Sequence, residues 1–214
     1  MKIYIIMLII ILLFLNNNKK ILKFTNTTQS IKKNNKIELW VYYDDLTKIP
    51  SYLLLCLNSI YKQCKKSFNI KLIDDNFLRK NNIRNDILSS NYISKIQYIK
   101  NFILYHYGGL WIDIDTIVFK DLFSFTKNLK TFDFIGFDCF SNNCYSKEDY
   151  YNKPTDSILL CNKNSELMKR CLEIFDSLLD DDINNLNKFY IFRNILWDQL
   201  SNLNIQYYRV EPKY

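Results

Sequence analysis

Between Ile37 and Asp74 the chain passes through three differently patterned runs, and their order limits what it can become. The β-rich run IELWVYYDD is followed by PSYLLLCLNSIYKQC, in which Leu53, Leu54, Leu57, Ile60 and Tyr61 recur at helical spacing, and then by a second β-rich run, FNIKLID. Pro50 and Ser51 mark the start of the helix. Strand, helix and strand in that order open an α/β sheet. With 214 residues, 48% hydrophobic and 16% aromatic, the chain is long enough to bury a core and too apolar to be disordered. One globular domain plus a short extra segment is expected.

A second helical pattern, Tyr92 to Tyr107, places Ile96, Ile99, Phe102, Ile103 and His106 on one apolar face. Two of only three glycines, Gly108 and Gly109, come next. Gly108 is expected to close the helix in the left-handed conformation and Gly109 to let the chain reverse into a strand, LWIDIDTIVF. His106 reads as a packed helix residue rather than a metal ligand or base. Farther on, FDFIGFD and DSILLC read as short strands. SELMKRCLEIFDSLL reads as an amphipathic helix with Leu167, Cys171, Ile174, Phe175 and Leu178 inward. There is no internal repeat.

On a strand, Asp113 and Asp115 project from the same face, about 7 Å apart, while Leu110, Ile112 and Ile114 face apolar packing. Two carboxylates so placed repel each other and need a cation, basic partners or open solvent. A hard divalent cation such as Mn²⁺ or Mg²⁺ fits, arriving with substrate phosphates rather than caged by protein alone. The pair therefore suggests a metal-diphosphate site. An Asp-x-Asp alone carries little information: Asp180, Asp181 and Asp182 read as a solvated helix end.

The context is more specific. GGLWIDIDT, behind an apolar helix, resembles the Asp-x-Asp glycosyltransferases of the capsular-polysaccharide-synthesis type and the related sugar-binding-region family that includes initiating mannosyltransferases. The resemblance covers Ile37 to Phe119, and IELWVYYDD is similar to the family's first strand, which lines the nucleotide pocket. It implies a GT-A-like nucleotide-binding sheet flanked by helices, a nucleoside diphosphate sugar donor, and Mn²⁺ or Mg²⁺. It also implies donor-binding roles for Gln97, Lys100, Gly108, Gly109, Trp111 and Asp113, with Asp115 holding the metal directly and Asp113 contacting the metal or the ribose and donor sugar.

There are departures. Where the family helix carries Ser-Asp and, three residues after that Asp, an Arg, this chain has Ile96, Gln97 and Lys100. Gln97 can hydrogen-bond a hydroxyl, and Lys100 can meet a phosphate as a point charge without the bidentate fork of arginine. No late His or Asp stands out to complete a metal shell, and Asp198 in WDQL is the one candidate. No nucleophile or base can be singled out.

The N-terminus has an apolar run from Ile3 to Leu15 flanked by lysines. As a helix it spans about 20 Å against a hydrocarbon core of roughly 30 Å, which suits a signal peptide or short signal anchor. With Asn16, Asn17 and Asn18 following directly, an uncleaved anchor is favoured, giving a single-pass membrane protein whose orientation is open. The expected organisation is anchor or signal peptide 1–18, polar stalk 19–35, and a GT-A-like domain 36–214, shortened at its C-terminus. Of the six cysteines, Cys139 and Cys144 could pair in an oxidising compartment, but free buried thiols are favoured and no CxxC suggests zinc. The +7 charge is spread among asparagines with no basic stripe, so nucleic acid is not an expected partner.

Together these readings give a metal-dependent transferase, moving a sugar from a nucleoside diphosphate sugar to a glycan or glycolipid hydroxyl. The alternative is a non-catalytic, membrane-tethered domain binding a nucleotide sugar or glycan. A haloacid-dehalogenase-type phosphohydrolase also uses Asp-x-Asp, but DIDTIV misses that spacing by one residue.

Overall fold

The computed structural model describes residues 36–138, 154–182 and 191–210. The segments 1–18 and 19–35 and the pair Cys139 and Cys144 lie outside them. Residues Lys36–Tyr214 form one compact unit.

The opening pattern folds as its order requires. Strand β1 (Ile37–Tyr42) leads through helix α1 (Ser51–Cys64) to β2 (Phe68–Ile73), which pairs parallel to β1 from Ile37 opposite Phe68 to Tyr42 opposite Ile73. Two short helices, α2 (Asp75–Lys80) and α3 (Asn85–Ser89), precede the long α4 (Tyr92–Tyr107). Strand β3 (Gly109–Ile112) then returns to the other side of β1, again parallel. Helix α5 (Phe123–Thr126), a 3₁₀ turn (Lys127–Lys130), β4 (Phe134–Asp138), β5 (Pro154–Cys161), α6 (Glu166–Asp182), α7 (Ile191–Asn202) and β6 (Tyr207–Val210) complete the described elements. The sheet order is β2-β1-β3-β5-β4-β6; β5 runs antiparallel to both its neighbours, and β6 is parallel to β4.

Side chains alternate across the sheet into two apolar layers. Trp40, Tyr42, Trp111, Leu159 and Cys161 pack with Ile99 and Ile103 of α4 and Leu167, Cys171 and Phe175 of α6. Leu39, Val41, Leu110, Ile112 and Leu160 pack on the other face with Leu53, Ile60 and Cys64 of α1. Helices on both faces explain why β1 is buried without interruption from Leu39 to Tyr42. Winding goes from β1 outward to β2 and back past β1 to β3. The crevice beyond the carboxyl ends of β1 and β3 is thus a topological switch point, where open α/β sheets bind ligands.

Several expectations are corrected. The strand expected to run to Phe119 ends at Ile112; one further bond, from the Asp113 amide to the Ser157 carbonyl at 2.9 Å, precedes a turn closed by Thr116 N–H on the Asp113 carbonyl at 3.0 Å. The face of α1 is rotated from the one read off the sequence, whereas that of α6 holds, with Leu167, Cys171 and Phe175 buried and Ile174 and Leu178 packed against the same cluster. Helix α1 buries Leu53, Cys56, Ile60 and Cys64 while Tyr61 is exposed, and α6 buries Leu167, Met168, Cys171, Leu172, Phe175 and Leu179. His106 is exposed, stacked on Phe102 at 4.4 Å between ring centres. The backbone of Asp180 to Asp182 forms the end of α6. Cys56, Cys64, Cys161 and Cys171 are buried free thiols. The single-pass membrane expectation is overturned: no helix among the described residues is long and apolar enough to cross a bilayer.

Candidate active site

The two glycines answer to backbone crowding on both sides. Helix α4 ends as the Gly108 amide donates to the Leu104 carbonyl at 2.9 Å, and Gly108 and Gly109 take φ of 67° and 100°. A Cβ on Gly108 would stand 2.4 Å from the Lys163 backbone nitrogen, and one on Gly109 2.4 Å from the Glu38 carbonyl oxygen. Only residues without side chains let α4 pass directly into a strand tucked against β1. The Gly108 carbonyl accepts from Trp40 Nε1 at 2.8 Å, which pins this junction to β1.

That junction sets the register of Trp111 and Asp113. Trp111 is 1% exposed, and its Nε1 donates to Asp113 Oδ1 at 2.8 Å, two residues on and on the same side. The other oxygen, Oδ2, lies 3.3 Å from Lys100 Nζ. Lys100 is 1% exposed and also donates to the Asp156 carbonyl at 2.9 Å, with the Asp156 Oδ2 carboxylate oxygen at 3.3 Å. Gln97, one turn earlier on α4, donates from Nε2 to the same Oδ2 at 2.7 Å. Burial pushes the Asp113 carboxyl above its usual range, and Lys100 and Trp111 only partly offset this. Burial acts in the same direction on Asp156, but there Lys100 and Gln97 outweigh it and hold the carboxyl below the usual range.

A second charged group flanks the first. Lys95, buried on α4, pairs with Asp75 at 2.8 Å and Asp44 at 3.3 Å, and the Tyr42 hydroxyl is hydrogen-bonded to both of those carboxylates. This holds the loop after β1 in place, with Asp44 facing a cleft of about 480 Å³. The cleft is lined on its polar side by Asp44, Gln97, Lys100, Asp113, Asp115 and Asp156, and on its rim by Tyr43, Tyr52, Tyr92 and Ile93. Asp115 is exposed there. Among the described residues four carboxylates and one ammonium line the cleft, which gives that lining an acidic field. The Tyr92 hydroxyl registers this: burial, then Asp44, Asp113 and Asp115, push it up to about 12.

A family model described as "Glycosyltransferase sugar-binding region containing DXD motif" matches residues 14–133, more than half of the chain. The chain belongs to that glycosyltransferase family. Among solved structures, it is similar to "PaToxG Glycosyltransferase" with a TM-score of 0.51 and 12% identity, over 78% of this chain and 70% of that one. It also matches the apo-form glycosyltransferase GlyE of Streptococcus pneumoniae TIGR4 with a TM-score of 0.47 and 15% identity, over 82% of this chain and 45% of that one. At such identities the first likeness speaks for the shared fold alone. No curated protein sequence matches.

Of the residues singled out in the sequence, Gln97, Lys100, Asp113 and Asp115 converge on the cleft of this family member, and Gly108, Gly109 and Trp111 form the junction behind it. Asp198 is exposed on α7 and is not among the lining residues. Asp156 carries no signal of its own in the sequence, since it sits in an unremarkable strand and only the pairing of β5 with β3 brings it to Lys100. Lys95 is one more lysine in a lysine-rich chain. Among the described residues no cluster of three His, Cys, Asp or Glu side chains could hold a metal unaided. The exposed Asp115 carboxylate beside Asp113 nevertheless fits a hard cation that takes its remaining oxygens from a diphosphate.

Proposed function

We propose that this chain is a GT-A-like transferase of the hexosyltransferase class, moving a sugar from a nucleoside diphosphate sugar to a hydroxyl of a glycan or glycolipid acceptor, with residues 36–214 as its transfer domain. The observation that carries this reading is the acidic cleft at the switch point between β1 and β3, with Asp113 and Asp115 at its mouth. A diphosphate is repelled by such a lining unless a cation comes with it.

In the reaction the acceptor oxygen bonds to the anomeric carbon as the bond from that carbon to the phosphate oxygen breaks. The nucleoside diphosphate leaves with the electron pair, and the acceptor proton passes to solvent or a base. Mn²⁺ or Mg²⁺, held by Asp115 with Asp113 beside it, would supply charge neutralisation for the leaving diphosphate. The chain's own residues prepare the place. Trp111 and Lys100 each engage one oxygen of Asp113 and so fix the carboxylate plane without a mobile counter-ion. Gly108 and Gly109 hold that arrangement against β1, and the Asp44 loop closes the opposite wall. Lys100 works here as a buried counter-charge to Asp113 and Asp156, so its contribution to donor binding is exerted through those carboxylates.

The test is release of sugar from a panel of sugar nucleotides with Mn²⁺, with and without candidate glycan acceptors. Turnover of at least one donor above the Asp115→Asn background supports the reading. Binding of nucleotides with no turnover on any donor would replace it with a binding module.

A further inference from the structure

Beyond Asp115 the chain leaves the cleft along the flank of α1. Ile117 and Phe119 turn outward, 56% and 81% exposed, on either side of the buried Val118, whose amide donates to Ser59 Oγ on α1 at 2.9 Å. Farther on, the Ser67 hydroxyl, just past the end of that helix, donates to the Asp121 carboxylate. The segment is thus fastened along α1, beside the helix stripe that carries Ser59. At spacings of three and four that stripe reads Tyr52, Leu55, Ser59 and Lys62, and Lys66 continues its line past the last turn. Tyr52 and Leu55 are exposed, as Ile117 and Phe119 are, and so are the cations Lys62, Lys66 and Lys120. Among the described residues no carboxylate pairs with any of these three lysines.

Single exposed apolar residues are ordinary, but four large ones side by side on one surface are not. These protrude from a helix flank and a loop instead of lining a groove, so they suit a medium they can enter. The charge beside them specifies which. Lysines bordering protruding aromatic and aliphatic side chains match an anionic lipid surface: the apolar groups enter the boundary of headgroups and acyl chains, and the ammonium groups meet the anionic headgroups.

We propose that the face formed by Tyr52, Leu55, Ile117 and Phe119, with the lysines that border it, docks on an anionic lipid surface. The domain lies on that surface without crossing it, so the contact needs no membrane-spanning helix. Tyr52 also lines the cleft, and Asp115 stands two residues before Ile117, so docking brings the cleft mouth to the lipid boundary. The contact goes beyond the donor reading and does not depend on it.

The test is a titration of the full-length chain with vesicles of brominated phosphatidylcholine, with and without phosphatidylglycerol. Brominated acyl chains quench a tryptophan that lies within the bilayer. Phe119→Trp places that probe where no packing is disturbed, since Phe119 is exposed, and the quenching of the wild type is the background. Phe119→Trp is expected to be quenched beyond that background by the anionic vesicles and not by phosphatidylcholine alone. Glu173→Trp, on the exposed flank of α6, stays at background. Each lysine near an anionic surface contributes about fivefold, so Lys62→Gln, Lys66→Gln and Lys120→Gln together raise the lipid concentration for half-quenching of Phe119→Trp by about tenfold or more.

Quenching that is absent, or equal on neutral and anionic vesicles, overturns the proposal, as does a midpoint unmoved by the lysine substitutions. A chain held on vesicles by its apolar run from Ile3 to Leu15 alone sediments with them while Phe119→Trp stays at background, and that result too overturns it. So does the same unquenched signal from a face that serves a protein partner or a second copy. No arm contains nucleotide, so failure of the donor reading cannot imitate any of these results.

Discussion

Replacing Lys100 with methionine removes the one ammonium among the described residues that lines the cleft, and keeps a similar apolar stem. The wild-type side chain is 2% exposed and lies 3.3 Å from carboxylate oxygens of both Asp113 and Asp156, whose own side chains are 18% exposed. Breaking a buried pair by deleting one partner costs about 3–5 kcal/mol, because the other charge stays behind without compensation. Here two carboxylates are left facing each other. Protonation of one of them relieves part of the repulsion at the cost of binding a proton at neutral pH, so about 3–5 kcal/mol remains the expected loss. That is a large share of the roughly 5–15 kcal/mol by which a domain is stable. Urea denaturation of the full chain at neutral pH, followed by fluorescence, reads it directly. With a slope of about 1–3 kcal/mol/M, the midpoint falls by at least about 1 M. Adding Asp113→Asn and Asp156→Asn to Lys100→Met returns most of the loss, since no charge is then left buried. A Lys100→Met loss below about 1 kcal/mol, or no recovery in the triple variant, would refute the idea that these three groups form one buried network.

Gly109→Ala forces a Cβ to 2.4 Å from the Glu38 carbonyl at a φ of 100°, and Gly108→Ala meets the Lys163 backbone at the same distance. Each is expected to destabilise by about 2–5 kcal/mol in urea titrations, and a neutral result at either would contradict the close approach of β3 to β1. At the surface, Asp45 is held at about 2 by the Thr47 hydroxyl first and Lys48 next. Its carboxyl should titrate near that value by NMR, and Thr47→Ala should move it toward the ordinary value of about 3.9. Because the folded value is depressed, any stability from this contact is present above about 3.9 and is lost as pH falls through about 2. An Asp45 midpoint unmoved by Thr47→Ala would contradict the assignment. Asp198→Asn, away from the cleft, should leave nucleotide affinity unchanged in calorimetry.

The order β1, α1, β2 was legible because each run carried its own period, and Gly108 and Gly109 were legible because a helix cannot pass into a tucked strand without them. The rotated face of α1 was not. Cys56 and Cys64 are buried where Leu54 and Tyr61 are not, and nothing local ranks these side chains until the sheet that covers them is in place. The candidate site was half legible. Asp113, Asp115, Gln97 and Lys100 lie within one stretch of chain, so spacing alone could group them. Asp156 and Lys95 belong through pairings that span 56 and 20 residues, with Lys100 and Asp75 respectively. The role expected for Lys100 also changes with those partners. A lysine read alone looks free to meet a phosphate, whereas one lodged between two carboxylates is already neutralised.

If the cleft serves as proposed, it accepts a nucleoside diphosphate only in company with a cation held at Asp115. Calorimetric affinity of the full-length chain for UDP and GDP, measured with Mn²⁺ and again with EDTA, in the wild type and in Asp115→Asn, tests it most directly. At least one nucleotide is expected to bind with Mn²⁺, to lose tenfold or more in EDTA or in Asp115→Asn, and to lose nothing further when the two are combined. Equal affinity with and without the ion, or an Asp115→Asn variant that binds as the wild type does, would contradict it.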